Sequence, residues 1–406
     1  MYISNDLASY RVPLSAADRS LLGVDGAAEA SRVLAFLDGK PTPLVELQGL
    51  AAEAGVGAIF IKDEGQRLGL GSFKALGGAY AVLQLVRQEA VRQAGSLVSL
   101  VDLNFPNVSA LTSRMVFACA TDGNHGKSVA LGARLTGARS VIFVHEGVSP
   151  ARVDAIARFD AEIVRVAGTY DDSVREAARV SAERGWIVVS DTSWPGYEQV
   201  PGLVIQGYTV MVREALEAMA KPPTHVFMQA GVGGLAAAVA GHLAIVLGDR
   251  RPKFVVVEPD RADCIFQSVK ARRRVRMEHQ ASTVMAMLEC YEPSLIAWRI
   301  LSKVADGFMT IEDSAAVAMM NRLAGPGPAD KAMVAGESGG AGLAGLMKAC
   351  ANPEIRTRLG LGSSSSIFLV NSEGATDPDL YRNLVGLDPV SVRDSATVNT
   401  EVGKSS

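Results

Sequence analysis

The sequence predicts an α/β protein of two domains, each with a mostly parallel sheet flanked by helices. Three observations carry that reading. Short apolar runs rich in β-branched residues recur along the chain: SVIFVH (140–145), EIVRVA (162–167), WIVVSD (186–191), HVFMQA (225–230), FVVVEP (254–259) and SIFLVN (366–371). Continuous runs of this length suit strands buried on both faces, as in a parallel sheet. The stretches between them, such as DDSVREAARVSAERG and QGYTVMVREALEAMA, repeat apolar residues at helical spacing. Finally, 406 residues are long for a single core.

The order of the motifs sets the expected domain bounds. A larger domain is expected from 1–74 and 191–406, with a smaller one, 75–190, inserted. A lysine motif and one glycine turn come early and a second glycine turn follows residue 230, so a site is expected to draw on both parts of the chain. A loop at 98–113 and a Ser/Thr-rich tail at 388–406 read as poorly ordered segments. The serine run 363–366 reads as a loop.

Composition narrows the function classes. Hydrophobic residues are 48% and charged residues 20%, enough to fill large cores and too apolar for disorder. A net charge of −3 gives no electrostatic case for nucleic acid. The basic run KARRRVR (270–276) has no aromatic platform beside it and reads as a solvated helix end or loop. No apolar stretch reaches the ~18 residues of a membrane span, and the polar start MYISNDLASYRVPLSAADRS is unlike a signal peptide. A cytoplasmic protein is expected, with no membrane partner. The four cysteines lack CxxC spacing and the five histidines are scattered, so no metal site is expected.

GSFKALGGAY (71–80) sets Lys74 between Phe73 and Ala75 in a glycine-rich, apolar run. A lysine in such surroundings tends toward a lowered pKa and a nucleophilic amine; taken alone it also reads as a surface lysine whose stem lies on apolar neighbours. ATDGNHG (120–126) follows the strand-like FACA (117–120) and sets Thr121, Asp122, Asn124 and His125 among glycines. GVGG (231–234) follows HVFMQA and opens a helix-like run, which offers backbone N–H groups to a phosphate or makes a packing turn. It is neither a P-loop nor GxGxxG. GESGGAGLAGL (336–346) is a further glycine motif before a small-residue helix.

In this order, SFK, DGNHG, GVGG after a strand, ESGGAG and a strand ending VNSEG, the motifs resemble the fold-type II pyridoxal-phosphate (PLP) enzymes. That is the group of threonine dehydratase, cysteine synthase and the tryptophan synthase β chain. The match runs from about residue 41 to 377. Within the group, GLGSFKALGGAY, ATDGNHG, SDTSWPGYEQVPGLVIQGY and ECYEPSLIAW (289–298) are similar to the diaminopropionate ammonia-lyase family.

The resemblance implies PLP as cofactor and Lys74 as the Schiff-base lysine. It implies Phe73 against the cofactor ring, Asn124 on its phenolic oxygen, and the amides of Gly231, Val232, Gly233, Gly234 and Leu235 around the phosphate. Ser372 would face the pyridine nitrogen and Glu337 the cofactor edge. A serine there leaves the pyridine neutral, a weaker electron sink that suits elimination. Thr121, Asp122, Gly123 and His125 would bind substrate.

Asp122, where dehydratases of the group usually carry a small neutral residue, would handle a β-ammonium group and serve one Cα configuration. It also reads as a helix-start cap. Asp191 would be a second acid, or an N-cap. The implied reaction is α,β-elimination of D- or L-2,3-diaminopropionate to pyruvate and ammonia through aminoacrylate, in a homodimer. Cys264 and Cys290 match a cysteine pair of the family, implying a disulfide or two reduced thiols. A serine, threonine or hydroxyaspartate dehydratase, and a non-catalytic PLP-binding relative, stay open as alternatives.

Overall fold

The computed structural model describes residues 1–35, 37, 40–94, 110–121, 123–278 and 281–402. Asp122 and most of the loop expected at 98–113 lie outside the described residues. The chain forms two compact units, one of Met1–Val24, Pro41–Gln66 and Met211–Ser406, the other of Asp25–Lys40 and Arg67–Val210. Lys74 and Asp191 both fall in the second unit.

The larger unit holds a seven-stranded sheet in the order Tyr2–Ser4, Gly307–Ile311, Lys253–Pro259, His225–Gln229, Ser366–Asn371, Ala58–Asp63 and Leu44–Glu46. The five inner strands run parallel and the two short edge strands antiparallel. The parallel strands are closed in on both faces. Val226, Phe227, Val255, Val256 and Val257 are all at 0% exposure, which is why HVFMQA and FVVVEP read as unbroken apolar runs. Burying each such side chain contributes about 1.5–3 kcal/mol. Ala58–Asp63 and Gly307–Ile311 are strands that the run-by-run reading did not single out.

A sheet edge is closed by the short strand Tyr2–Ser4, and the polar segment after Asp388 forms a helix, Pro389–Val402, instead of a structureless tail. Val392 from that helix is buried in a small cluster with Tyr381, Met320 and Val334. Val392 gives the segment an apolar anchor, which its Ser/Thr content obscures.

The smaller unit holds a four-stranded, all-parallel sheet in the order Glu162–Val166, Arg139–His145, Val116–Ala120 and Ile187–Val188. Its core joins Val116, Ala118, Val141 and Phe143 to Ala177 of the helix Tyr170–Arg184. That helix starts with a reciprocal cap between Thr169 and Asp172.

The glycines of GSFKALGGAY have a packing reason. A Cβ on Gly78 would lie 2.8 Å from Ser128 Oγ, and one on Gly77 2.5 Å from the Tyr208 ring. From the facing helix, a Cβ on Gly132 would lie 2.9 Å from Val82 Cβ. The helix Lys74–Ala94 therefore meets Asn124–Thr136 and Gln199–Ala218 at contacts only glycine permits.

Candidate active site

Lys74 is the first residue of its helix, and the loop before it turns through Gly69 and Gly71, both at positive φ. Its Nζ donates to the carboxylate of Asp191. Both side chains are mostly enclosed, 18% and 16% exposed. Burial alone would raise the Asp191 carboxyl, but the Lys74 ammonium beside it, His125 and the hydrogen bonds it accepts together outweigh this and hold it at about 2.

Asp191 follows the strand Ile187–Val188, and the backbone leading to it is pinned by side chains. Tyr197 Oη donates to the Val188 carbonyl at 2.7 Å and accepts from Ser190 N at 3.1 Å. The Val189 carbonyl meets His125 Nε2 at 2.9 Å. Phe73 packs edge-on against Tyr208, ring centroids 4.7 Å apart, and Lys74 Nζ lies 5.5 Å from the Phe73 centroid.

The turn 121–126 is laced to the lysine's helix. Thr121 Oγ1 accepts from Gly123 N at 3.0 Å and Gly126 N at 3.2 Å, and Gly123 takes φ +146°. Lys127 Nζ donates to the Leu70 carbonyl at 2.7 Å, just before the SFK segment. Ser128 Oγ accepts from Ala79 N at 2.8 Å and lies 3.2 Å from the Ala75 carbonyl. Thr121, Asn124 and His125 are buried. The structure thus brings Phe73, Lys74, Thr121, Gly123, Asn124, His125 and Asp191 into one unit.

In the larger unit, the strand His225–Gln229 runs through Gly231–Gly234 into the helix Gly234–Leu247. Its cap, Gly233, sits at φ +95° and has no side chain to accept from the first-turn N–H groups. A helix start of this kind suits an anion. A Cβ on Gly231 would lie 2.9 Å from Cys290 Sγ, and one on Gly233 2.9 Å from Ile265 Cδ1.

Cys264 Sγ lies 3.7 Å from the Gly231 carbonyl, the geometry of a weak S–H donor. Cys264 and Cys290 are not bridged to each other, the reduced alternative of the two that the resemblance left open. The Cys264 thiol is instead engaged with the glycine turn, and burial pushes its pKa well up, so it keeps its proton.

Ser372 follows the strand Ser366–Asn371, with Gln229 beside it. Gln229 Nε2 lies 2.9 Å from Ser372 Oγ, 2.9 Å from the Val370 carbonyl and 3.0 Å from the Gly339 carbonyl. Glu337 is buried in the same glycine loop, and the neighbouring Ser338 N donates to the Glu373 carboxylate at 3.3 Å.

Buried polar atoms without a partner among the described residues collect around these segments. Ser72 Oγ, His125 Nδ1 and Tyr208 Oη are such atoms in the smaller unit; Gln229 Oε1, Ser338 Oγ and Asn371 Oδ1 are such atoms in the larger. Folded proteins leave few of these, and a polar ligand satisfies them. The mostly enclosed lysine amine of the smaller unit suits an aldehyde, and the glycine turn of the larger unit suits a phosphate. Among the described residues, no group of three or more His, Cys, Asp or Glu is placed to hold a metal, and no helix is long and apolar enough to cross a membrane.

Comparison with known proteins agrees with that fit. The family model of pyridoxal-phosphate dependent enzymes matches residues 35–364. Diaminopropionate ammonia-lyase of Escherichia coli K12 is 38% identical over 353 residues, 85% of this chain and 87% of the relative. The crystal structure of the selenomethionine holo form of the Escherichia coli enzyme superposes with a TM-score of 0.86 at 35% identity, covering 95% of this chain and 96% of that one.

This chain belongs to the diaminopropionate ammonia-lyase family.

A second crystal structure of the Escherichia coli enzyme, in complex with an aminoacrylate–PLP azomethine reaction intermediate, has a TM-score of 0.83 at 35% identity, covering 95% of this chain and 96% of that one. Fold-type II architecture and PLP as cofactor follow for this family member. Its sequence hides several residues that the structure sets beside the expected ones. Gln229 is one, and its signal was a lone amide ending an otherwise apolar strand. Tyr197 and Tyr208 are others, read only as parts of longer motifs. Asp122 lies outside the described residues.

Proposed function

We propose that the protein eliminates ammonia from 2,3-diaminopropionate and, with one water, yields pyruvate and a second ammonia. The pairing of Lys74 with the buried Asp191 carries this reading. An amine that must both hold a carbonyl cofactor and move a proton at Cα needs a counter-ion enclosed with it. Lys74 supplies the amine that ties PLP to the chain, and Gly231, Val232, Gly233, Gly234 and Leu235 supply amides for its phosphate. Phe73 and Asn124 would face its ring and phenolic oxygen, Glu337 its edge, and Ser372 its pyridine nitrogen. PLP, when bound, takes up the electron pair left at Cα.

The chain's own groups do the rest. Lys74 Nζ exchanges the Cα proton of the L form, and Asp122 that of the D form. Thr121, Gly123 and His125 hold the substrate. Asp191 is held at about 2 only while Lys74 is charged. When that charge is gone, burial dominates and the carboxyl becomes able to accept a proton. A substrate β-ammonium beside Asp191 replaces the lost cation, returns the carboxyl to its anion, and is itself kept protonated and so able to leave as ammonia. We place the protein in the cytoplasm, supported by the unbridged, protonated thiol of Cys264, and as a homodimer, the assembly the family resemblance implies.

The test is release of pyruvate and ammonia from D- and L-2,3-diaminopropionate beside serine and threonine. Two ammonia per pyruvate from diaminopropionate is expected. Higher kcat/KM on serine or threonine overturns the reading in favour of a dehydratase.

A further inference from the structure

His125 is buried in the smaller unit, 5% exposed, on the first turn of the helix Asn124–Thr136. Its Nε2 lies 2.9 Å from the Val189 carbonyl oxygen. A carbonyl oxygen only accepts, so Nε2 carries the ring hydrogen. The other nitrogen of the neutral ring is then a bare lone pair. Nδ1 is buried and has no hydrogen-bond partner among the described residues. The charged described groups acting on the ring are Asp191 and Lys74; burial holds the ring below its ordinary pKa against the pull of the Asp191 carboxylate. A histidine that served only to hold Val189 would need Nε2 alone. The enclosed acceptor at Nδ1 has no structural use.

What could donate to it follows from chemistry. The substrate carboxylate accepts and cannot donate. The α-amino nitrogen is the atom committed to the cofactor. A β-ammonium group carries three donors, and a carboxylate, Asp191, stands among the same groups. We propose that Nδ1 of His125 accepts a hydrogen bond from the β-ammonium of the substrate and so selects a β-amino group over β-substituents that cannot donate. This rests on the function proposed above and assigns the group that His125 reads. A site built to bond a donor rejects an analogue lacking it, because its buried acceptor is left unmet.

Two variants separate the ring's two nitrogens. His125→Gln keeps an amide N–H in reach of Val189 and loses the acceptor at Nδ1. His125→Asn places a carbonyl oxygen near the Nδ1 position. The holoenzymes are compared on diaminopropionate and on β-chloroalanine, whose chlorine cannot donate. Thermal unfolding and bound-cofactor absorbance establish that each variant is folded and loaded. The selectivity ratio, kcat/KM on diaminopropionate over kcat/KM on β-chloroalanine, is expected to fall about tenfold or more in His125→Gln, through KM, and to recover partly in His125→Asn. Equal losses on both substrates overturn the proposal.

A readout free of turnover is nitrogen NMR of the histidine-labelled holoenzyme. Nδ1 is expected unprotonated and Nε2 protonated; a doubly protonated ring, or hydrogen on Nδ1, overturns the proposal. Wild-type enzyme that converts β-chloroalanine but not diaminopropionate would sink the substrate reading itself, and is seen before any variant is made.

Discussion

The side-chain nitrogen of Gln229 lies 2.9 Å from the hydroxyl of Ser372. An amide nitrogen has no lone pair to offer, so the serine hydrogen must point elsewhere. The same nitrogen is 2.9 Å from the Val370 carbonyl and 3.0 Å from the Gly339 carbonyl, which pins Gln229 between the last parallel strand and the glycine loop. Gln229 thus orients Ser372 as a donor toward any acceptor in front of it. The two residues separate on substitution. Gln229→Leu strips two buried carbonyls of a donor and is expected to lower stability by about 1–3 kcal/mol. Ser372→Ala keeps both bonds and is expected to weaken PLP retention with little effect on unfolding. Denaturant unfolding of the cofactor-free proteins, with PLP release from the loaded ones, checks the contrast; equal unfolding losses contradict it.

Removing Lys74 should reverse the sign of what Asp191 does with pH. In the wild type its carboxyl is held at about 2, below the ordinary carboxylate value of ~3.9. That stabilisation is complete above the ordinary value and is lost as pH falls through about 2. In Lys74→Ala burial prevails and the folded carboxyl rises above its unfolded value. The variant then carries a penalty at neutral pH that shrinks on acidification. Urea unfolding of both cofactor-free proteins at pH 7 and pH 5 is expected to show the stability gap narrowing at pH 5; a constant gap refutes this account.

Asp122→Asn keeps the size of the side chain and removes its charge. If the carboxylate exchanges the Cα proton of the D form, turnover of D-diaminopropionate should drop about 10²–10⁴-fold while the L form, served by Lys74, is spared. Equal losses on both enantiomers would point to protonation or anchoring of the leaving group. Near-normal rates with a stability loss of about 1 kcal/mol would reduce Asp122 to a helix cap.

Gly207→Ala tests the packing beneath the lysine. Its Cβ would stand 2.2 Å from the Leu76 carbonyl oxygen, a backbone atom that cannot step aside. A loss of about 1–3 kcal/mol in unfolding stability is expected. A variant as stable as wild type would show that these helices yield.

Much of this was legible because two physical signals are strong. Strands buried on both faces leave unbroken apolar runs, so His225–Gln229, Lys253–Pro259 and Ser366–Asn371 stood out. Ala58–Asp63 did not. Its AIFIKD mixes Lys62 into the run, and the buried Lys62 is satisfied by the Thr42 carbonyl and by Glu214 at 2.6 Å, a partner 152 residues away in the chain. Glycine motifs marked the turn before Gly234–Leu247 for the same reason that Gly233 sits at φ +95°. The pairing of Lys74 with Asp191 was not legible, since it depends on where a two-residue strand ends. Neither was the helix Pro389–Val402, whose apolar positions are diluted by serine and threonine.

The shortness of that two-residue strand has a thermal consequence. Ile187–Val188 pairs with the sheet at only Phe117 and Ala118; one more backbone bond, Val189 N to the Ala118 carbonyl at 2.8 Å, follows, and a phenol and an imidazole hold the rest of the segment to Ser190. Few bonds stand between this segment and local release, so it opens at lower free energy than the strands behind it. On warming, the Asp191 carboxylate is therefore expected to leave the lysine while the sheet is still whole. Heat would silence the enzyme before it melts, and cooling would restore it.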